Sequence, residues 1–200
     1  MNKKSNPPFK DKVIYHGQRM DLVLRTSPGN TGRRIVREVV RHPGAVIILP
    51  ILQDGTIIMI QNLRHTVSER LWELPAGTLE AGEDPGACAA RELEEETGYR
   101  AAEILPFGWF YTSPGILTEK MYAFVAAGLE PGPQALEENE NITVAPVNPA
   151  QALTMVRRNE IVDGKTIAVL LKYLTRTKRI GKRVEESLPT RKRMNRKRTV

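Results

Sequence analysis

Gly77-Thr78-Leu79-Glu80-Ala81-Gly82-Glu83-Asp84-Pro85-Gly86-Ala87-Cys88-Ala89-Ala90-Arg91-Glu92-Leu93-Glu94-Glu95-Glu96-Thr97-Gly98-Tyr99 decides the reading of this chain. Apolar spacing predicts a helix from about Pro85 to Thr97. Asp84 is its N-cap, Pro85 suits the first helical position, and Gly98 suits the left-handed residue that ends a helix. Residues four apart share a helical face, so Glu92 and Glu96 point together with Glu95 beside them. Ala89, Ala90 and Leu93 fall on other faces, where they can pack. Carboxylates this close repel and shift one another's pKa, so the cluster is costly unless a cation sits there. Oxygen-only ligands suit a hard ion, Mg2+ or Mn2+, and Mg2+ at protein sites usually works on substrate phosphates.

Upstream, strands are predicted at Val13–Tyr15, Met20–Arg25 and Arg34–Val40, broken by Ser27-Pro28-Gly29-Asn30 and Thr31-Gly32. Gly44–Leu52 reads as a buried strand, Asp54-Gly55 as a hairpin turn, and Thr56–Leu63 as the returning strand. A short strand falls near Trp72-Glu73-Leu74-Pro75. Downstream, strands are predicted at Ala101–Phe107, Phe110–Tyr111, Lys120–Ala126 and Ile142–Val147, then helices at Pro149–Arg158 and Lys165–Thr175. Mixed strands with helices on both sides give an α/β class and an α/β/α sandwich, to which antiparallel N-terminal strands are added. The expected units are residues 1–41, a strand extension for dimerisation; 42–175, the main domain; and 176–200, a basic tail.

Two hundred residues are enough for one domain with a sizeable core. At 40% hydrophobic and 26% charged residues, the composition is that of an ordinary soluble globular protein. The single cysteine, Cys88, can form no intrachain disulfide, and its place among alanines makes it a packing residue in a reducing compartment. The longest apolar run, Ala45–Leu52, is too short to span a bilayer, and the first residues lack the apolar core of a signal peptide, so a cytoplasmic protein is expected. The net charge of +7 is concentrated at one end. Eleven basic and two acidic residues from Arg176 onward give +9, leaving about −2 for the rest. Charge alone gives only salt-sensitive, unspecific attraction to nucleic acid, and the segment has no aromatic residue for stacking. It reads as a solvated, disordered terminus, with nucleic acid left open but not expected as the partner.

The order G-x5-E-x7-R-E-L-x-E-E-x-G-Y over residues 77–99 resembles the Nudix box, the signature of the Nudix hydrolase family, at each defined position. The resemblance covers roughly residues 42–175. It implies the Nudix α/β/α sandwich and metal-dependent hydrolysis of a nucleoside diphosphate linked to another group. It makes Glu92 and Glu96 the main metal ligands, Glu95 a further ligand directly or through water, and the Ala76 carbonyl an additional one. Arg91 orients the glutamates, Glu83 braces or joins them, and Gly77 allows a tight loop before the helix.

Other segments resemble the ADP-ribose pyrophosphatase subfamily: Leu71-Trp72-Glu73-Leu74-Pro75-Ala76-Gly77, Ser113-Pro114-Gly115 with Pro114 fifteen residues beyond Tyr99, Glu119, the acidic loop Glu138-Asn139-Glu140-Asn141-Ile142, and Glu160–Thr166. This implies Mg2+-dependent hydrolysis of ADP-ribose to AMP and ribose 5-phosphate. It also implies a homodimer whose N-terminal strands cross into the partner's site. Arg64 matches an arginine on the diphosphate, and a guanidinium fits phosphate bidentately. Arg37 and Glu38 resemble adenine-side or phosphate-side contacts, and Glu80, Pro114, Gly115 and Glu119 complete the expected substrate-binding set. Glu138 and Glu140 are both candidates for the general base. His42 and His65 have no partner spacing for metal. The rivals are hydrolysis of another nucleoside diphosphate sugar such as GDP-mannose, and a noncatalytic nucleotide sensor on the same fold.

Overall fold

The computed structural model describes residues 9–175, so the expected basic tail lies outside the described residues. Strands β1 (Lys10–His16), β2 (Asp21–Pro28) and β3 (Arg34–Arg41) form an antiparallel three-stranded sheet. Its only fully buried apolar residue is Val23. β2 runs on through Ser27 and Pro28, where a break was expected, because both residues pair with β3. The sheet is tied to the rest of the chain at the end of β3. There the Val40 N–H donates to the Ile116 carbonyl at 2.8 Å, and the Thr118 N–H donates to the Val40 carbonyl at 2.9 Å.

A four-stranded mixed sheet lies at the centre, in the order β7 (Ala76–Thr78), β4 (Ala45–Pro50), β9 (Lys120–Pro131), β8 (Tyr99–Tyr111). β4 runs parallel to β9 and antiparallel to β7. All six residues of β4 are buried, as expected for a strand covered on both faces. Its alternate side chains enter two separate cores. Val46 and Ile48 pack with Cys88, Ala89 and Leu93 of helix α1 (Pro85–Thr97). Ile47 and Leu49 pack on the other side with Ala152 and Met155 of α2 (Pro149–Arg157) and Val169 and Leu170 of α3 (Gly164–Leu174). That second core also takes Ile57 and Met59 of β5 (Ile57–Arg64), the middle strand of a third sheet between β10 (Ile142–Val147) and β6 (Glu69–Glu73). Helices therefore cover both faces of the central sheet, which is the expected sandwich. Burying a side chain such as Leu93 contributes roughly 2 kcal/mol.

Two local expectations are corrected. Gly77 lies in the short strand β7 rather than in a loop, because β4 supplies a pairing edge at Val46. The two strands expected at 101–107 and 110–111 are one strand, β8. The register shift between Pro106 and Gly108, with Gly108 at φ +107, is a bulge within it.

Candidate active site

The acidic helix is fixed at both ends. Asp84 Oδ1 accepts from the Gly86 N–H at 2.9 Å and the Ala87 N–H at 3.1 Å. Gly98 closes the other end at φ +75, with its N–H donating to the Glu94 carbonyl. Between these caps, Glu92 and Glu96 are buried and Glu95 is half-buried. Arg91 gathers the cluster. Its Nη1 lies 2.8 Å from Glu92 Oε1 and 2.9 Å from Glu95 Oε2, and its Nε donates to Glu83 Oε1 at 3.0 Å. The hydrogen bonds from Arg91 lower the Glu83 carboxyl to about 2, and the Arg91 guanidinium is itself raised by the same bonds. Burial pushes the Cys88 thiol up to about 12, which suits the packing role expected for it.

Gly77 stands against Glu92 so closely that a Cβ there would fall 1.8–2.3 Å from the three atoms of its carboxylate. The absence of a side chain at 77 is what makes room for this carboxylate. Glu96 accepts from the Ala76 N–H at 2.9 Å. Burial, with the Glu92 and Glu140 charges adding to it, raises the Glu96 carboxyl to about 8. Burial also holds Glu92 above its ordinary value, with Glu95 and Glu140 contributing and Arg91 opposing. Two buried carboxylates that resist ionisation and lie near further acids fit a hard divalent cation. Among the described residues, no three histidine, cysteine or acidic groups already converge as a ready-made metal cage. Arg91 occupies the shared position between Glu92 and Glu95.

Two cavities flank β7 and share Gly77 and Thr78 in their walls. The larger, about 810 Å3, is bounded by Glu80, Arg91, Glu92 and Glu140, by the β1–β2 turn with Arg19, and by Arg41 at the end of β3. The second, about 650 Å3, is bounded by Arg64, Ala76, Tyr111, Glu119 and Lys165. The structure separates the two loop glutamates. Glu140 is half-buried and lines the larger cavity, and its charge reaches Glu92 and Glu96; Glu138 is exposed and lines neither cavity.

Of the expected substrate contacts, Glu80, Arg64 and Glu119 line a cavity. Arg37 and Glu38 are exposed on β3 and line neither, and Arg37 Nη1 donates to Ser27 Oγ at 3.2 Å. Pro114 and Gly115 are also exposed outside both cavities. Their turn, closed by Ile116 and Leu117 N–H bonds to the Ser113 carbonyl, leads into the junction with β3. His42 lines the larger cavity, with Nδ1 accepting from the Gly44 N–H. The residues that sequence reasoning missed are Glu73 and Lys165. Each belongs to a segment singled out above, but only the folded chain brings the two within 2.7 Å.

Comparison with known proteins gives a consistent picture. A family model described as NUDIX domain matches residues 41–170. An ADP-ribose pyrophosphatase of Bacillus subtilis (strain 168) is 39% identical over 163 residues, spanning 80% of this chain and 88% of the relative. A methanol dehydrogenase activator of Bacillus methanolicus is 36% identical, covering 83% and 90%. An ADP-ribose pyrophosphatase of Mycobacterium tuberculosis is 43% identical, covering 70% and 69%. Among solved structures, one described as an ADP compounds hydrolase superposes with a TM-score of 0.73 at 19% identity, covering 87% of this chain and 95% of the other. At that identity the likeness speaks for the fold.

Proposed function

From the premise that the chain belongs to the NUDIX family of hydrolases, we propose that it hydrolyses the pyrophosphate of ADP-ribose to AMP and ribose 5-phosphate in the cytoplasm. The observation that supports this reading is that Glu140 and Glu92 line one cavity, with the Glu140 charge acting on both Glu92 and Glu96. A candidate base and one carboxylate of the acidic helix thus share a cavity wall.

Glu92, Glu95, Glu96 and the Ala76 carbonyl would hold Mg2+, with Mn2+ as the other hard ion suited to such ligands. When bound, the ion would neutralise charge on the diphosphate and lower the pKa of a coordinated water. Arg91 keeps Glu92 and Glu95 side by side, which positions both before substrate arrives. Glu140 Oε2 is tied to the Glu137 N–H at 2.9 Å, which leaves Oε1 to take the proton from the attacking water. Arg64 presents its guanidinium to the diphosphate from the second cavity. Glu80 and Glu119 are walls for the groups on either side. Arg37 and Glu38, outside both cavities of their own chain, act in the site of a partner within a homodimer.

The test is phosphate release in a coupled phosphatase assay, with ADP-ribose and GDP-mannose compared in Mg2+. Wild type is expected to turn over ADP-ribose. Glu140→Gln is expected to lose on the order of 10^2–10^4 in rate, the range of general acid–base catalysis, while Glu138→Gln stays near wild type. Glu96→Gln is expected to collapse turnover by weakening the hold on the ion. Turnover of GDP-mannose alone would overturn the substrate. A loss in Glu138→Gln with none in Glu140→Gln would overturn the base.

A further inference from the structure

Glu73 is completely buried at the end of β6, yet it is charged and fully engaged. Its Oε1 accepts from Arg64 Nε at 2.7 Å. Its Oε2 accepts from Arg64 Nη2 at 2.6 Å and from Lys165 Nζ at 2.7 Å. Burial pushes this carboxyl up, but the Arg64 hydrogen bonds and the Lys165 and Arg64 charges outweigh it, so the group stays below its ordinary value. Lys165 also donates to Asp163 Oδ1 at 2.9 Å, and Asp163 Oδ2 caps α3 through the Thr166 N–H at 3.0 Å. Thr166 Oγ1 in turn accepts from the Leu74 N–H at 2.9 Å. One buried carboxylate therefore fixes two cations that come from opposite ends of the domain's sequence. Both cations line the second cavity. The bidentate contact uses Arg64 Nε and Nη2, so Nη1 is the nitrogen left for another partner.

We propose that Glu73 is a positioning residue that sets Arg64 and Lys165 as a paired clamp for the diphosphate of the substrate. The inference rests on the reading of the cavities as the substrate site, and it adds Lys165 to the groups that bind there. With Asp163 counted, two carboxylates balance the two cations, and the wall gains a further contact when an anion arrives on the Nη1 side of Arg64. A second carboxylate, Asp163, keeps Lys165 from leaving with the anion.

Two effects oppose when Glu73 is neutralised. Removing a negative charge makes the wall more attractive to phosphate, whereas Arg64 loses the bidentate contact that fixes it and Lys165 is left held by Asp163 alone. A guanidinium freed from its bidentate partner loses its fixed orientation, so loss of position is expected to win. The experiment measures kcat and KM for ADP-ribose, together with direct calorimetric binding of ADP, for wild type, Glu73→Gln, Lys165→Met and the double variant. Thermal melts verify that each is folded. Glu73→Gln is expected to raise KM at least about tenfold with kcat within about threefold, and to weaken ADP comparably. The double variant is expected to be little worse than Glu73→Gln alone, because the two act as one unit. An unchanged or lowered KM in a folded Glu73→Gln, or effects of the two substitutions that multiply, would overturn the clamp. Should Glu73→Gln not fold, Lys165→Met decides, and unchanged KM and ADP affinity there overturn it. If wild type leaves ADP-ribose intact, the substrate reading fails, while ADP binding still reports on the clamp.

Discussion

Gly77 is defined by what it lacks. A single methyl at this position would overlap the Glu92 carboxylate, at 1.8–2.3 Å from its atoms, although the backbone there is ordinary strand. Gly77→Ala is therefore expected to leave the fold recognisable in circular dichroism and to reduce ADP-ribose turnover by more than about tenfold, as misplacement of a catalytic group does. Glu96 carries a pH dependence with a definite sign. Burial raises its carboxyl to about 8 in the folded protein, from the 4.5 of an exposed glutamate. Between these values the folded state holds a proton that the unfolded chain has released. Its contribution to stability is thus complete below 4.5 and is lost as pH rises through about 8. In a chelator, the melting temperature of wild type is expected to fall from pH 6 to pH 8.5 relative to that of Glu96→Gln. Mg2+ added at the upper pH is expected to restore wild type and leave the variant unmoved. Glu92, Glu95 and Glu96 were legible in the sequence because helical spacing alone sets their mutual positions. Glu73 and Lys165 were not, because a buried ion pair between a strand and a distant helix has no periodic signature. The choice between Glu138 and Glu140 likewise depends on how an irregular loop turns.

At the scale of elements, α1 runs from Pro85 to Thr97 between the caps Asp84 and Gly98, where capping chemistry placed it in the sequence. Asp84→Ala removes the acceptor for two N–H groups and is expected to cost about 1 kcal/mol. For a chain of this size that lowers the melting temperature by about 2–4 °C, measurable by calorimetry. Local rules read helices well because their bonds lie within four residues. They missed β7, whose three residues become a strand only through the edge that β4 offers. They divided β8 at its bulge, since Gly108 looks like a terminator until the pairing with β9 is seen to continue on both sides.

At the scale of the whole molecule, the N-terminal sheet stands out for its openness. Tyr15 is 62% exposed and Val36 57%, and the sheet buries little of its own apolar surface. Three strands whose apolar side chains are mostly exposed gain stability from a partner surface, and those side chains mark where it docks. A second copy is the expected cover, and sedimentation equilibrium at about 10 µM is expected to return twice the chain mass, as for obligate dimers. The pair of substitutions Tyr15→Asp and Val36→Asp is expected to halve that mass and to reduce ADP-ribose turnover with it. A wild-type monomer would refute the dimer. The sandwich itself was legible because alternate residues of one buried strand, Val46 and Ile48 against Ile47 and Leu49, demand cover on two sides. That same central strand sets the order of assembly. β4 lies parallel to β9, with Ala45 opposite Met121, so its partner is synthesised long after it. Contacts between near neighbours in sequence form first and such distant parallel pairs form late. On the ribosome, the acidic helix emerges before β9, whose Phe124 and Ala126 share its core, so the sheet it packs on is then still half built. The ability to split a pyrophosphate is therefore among the last properties that a newly made chain acquires.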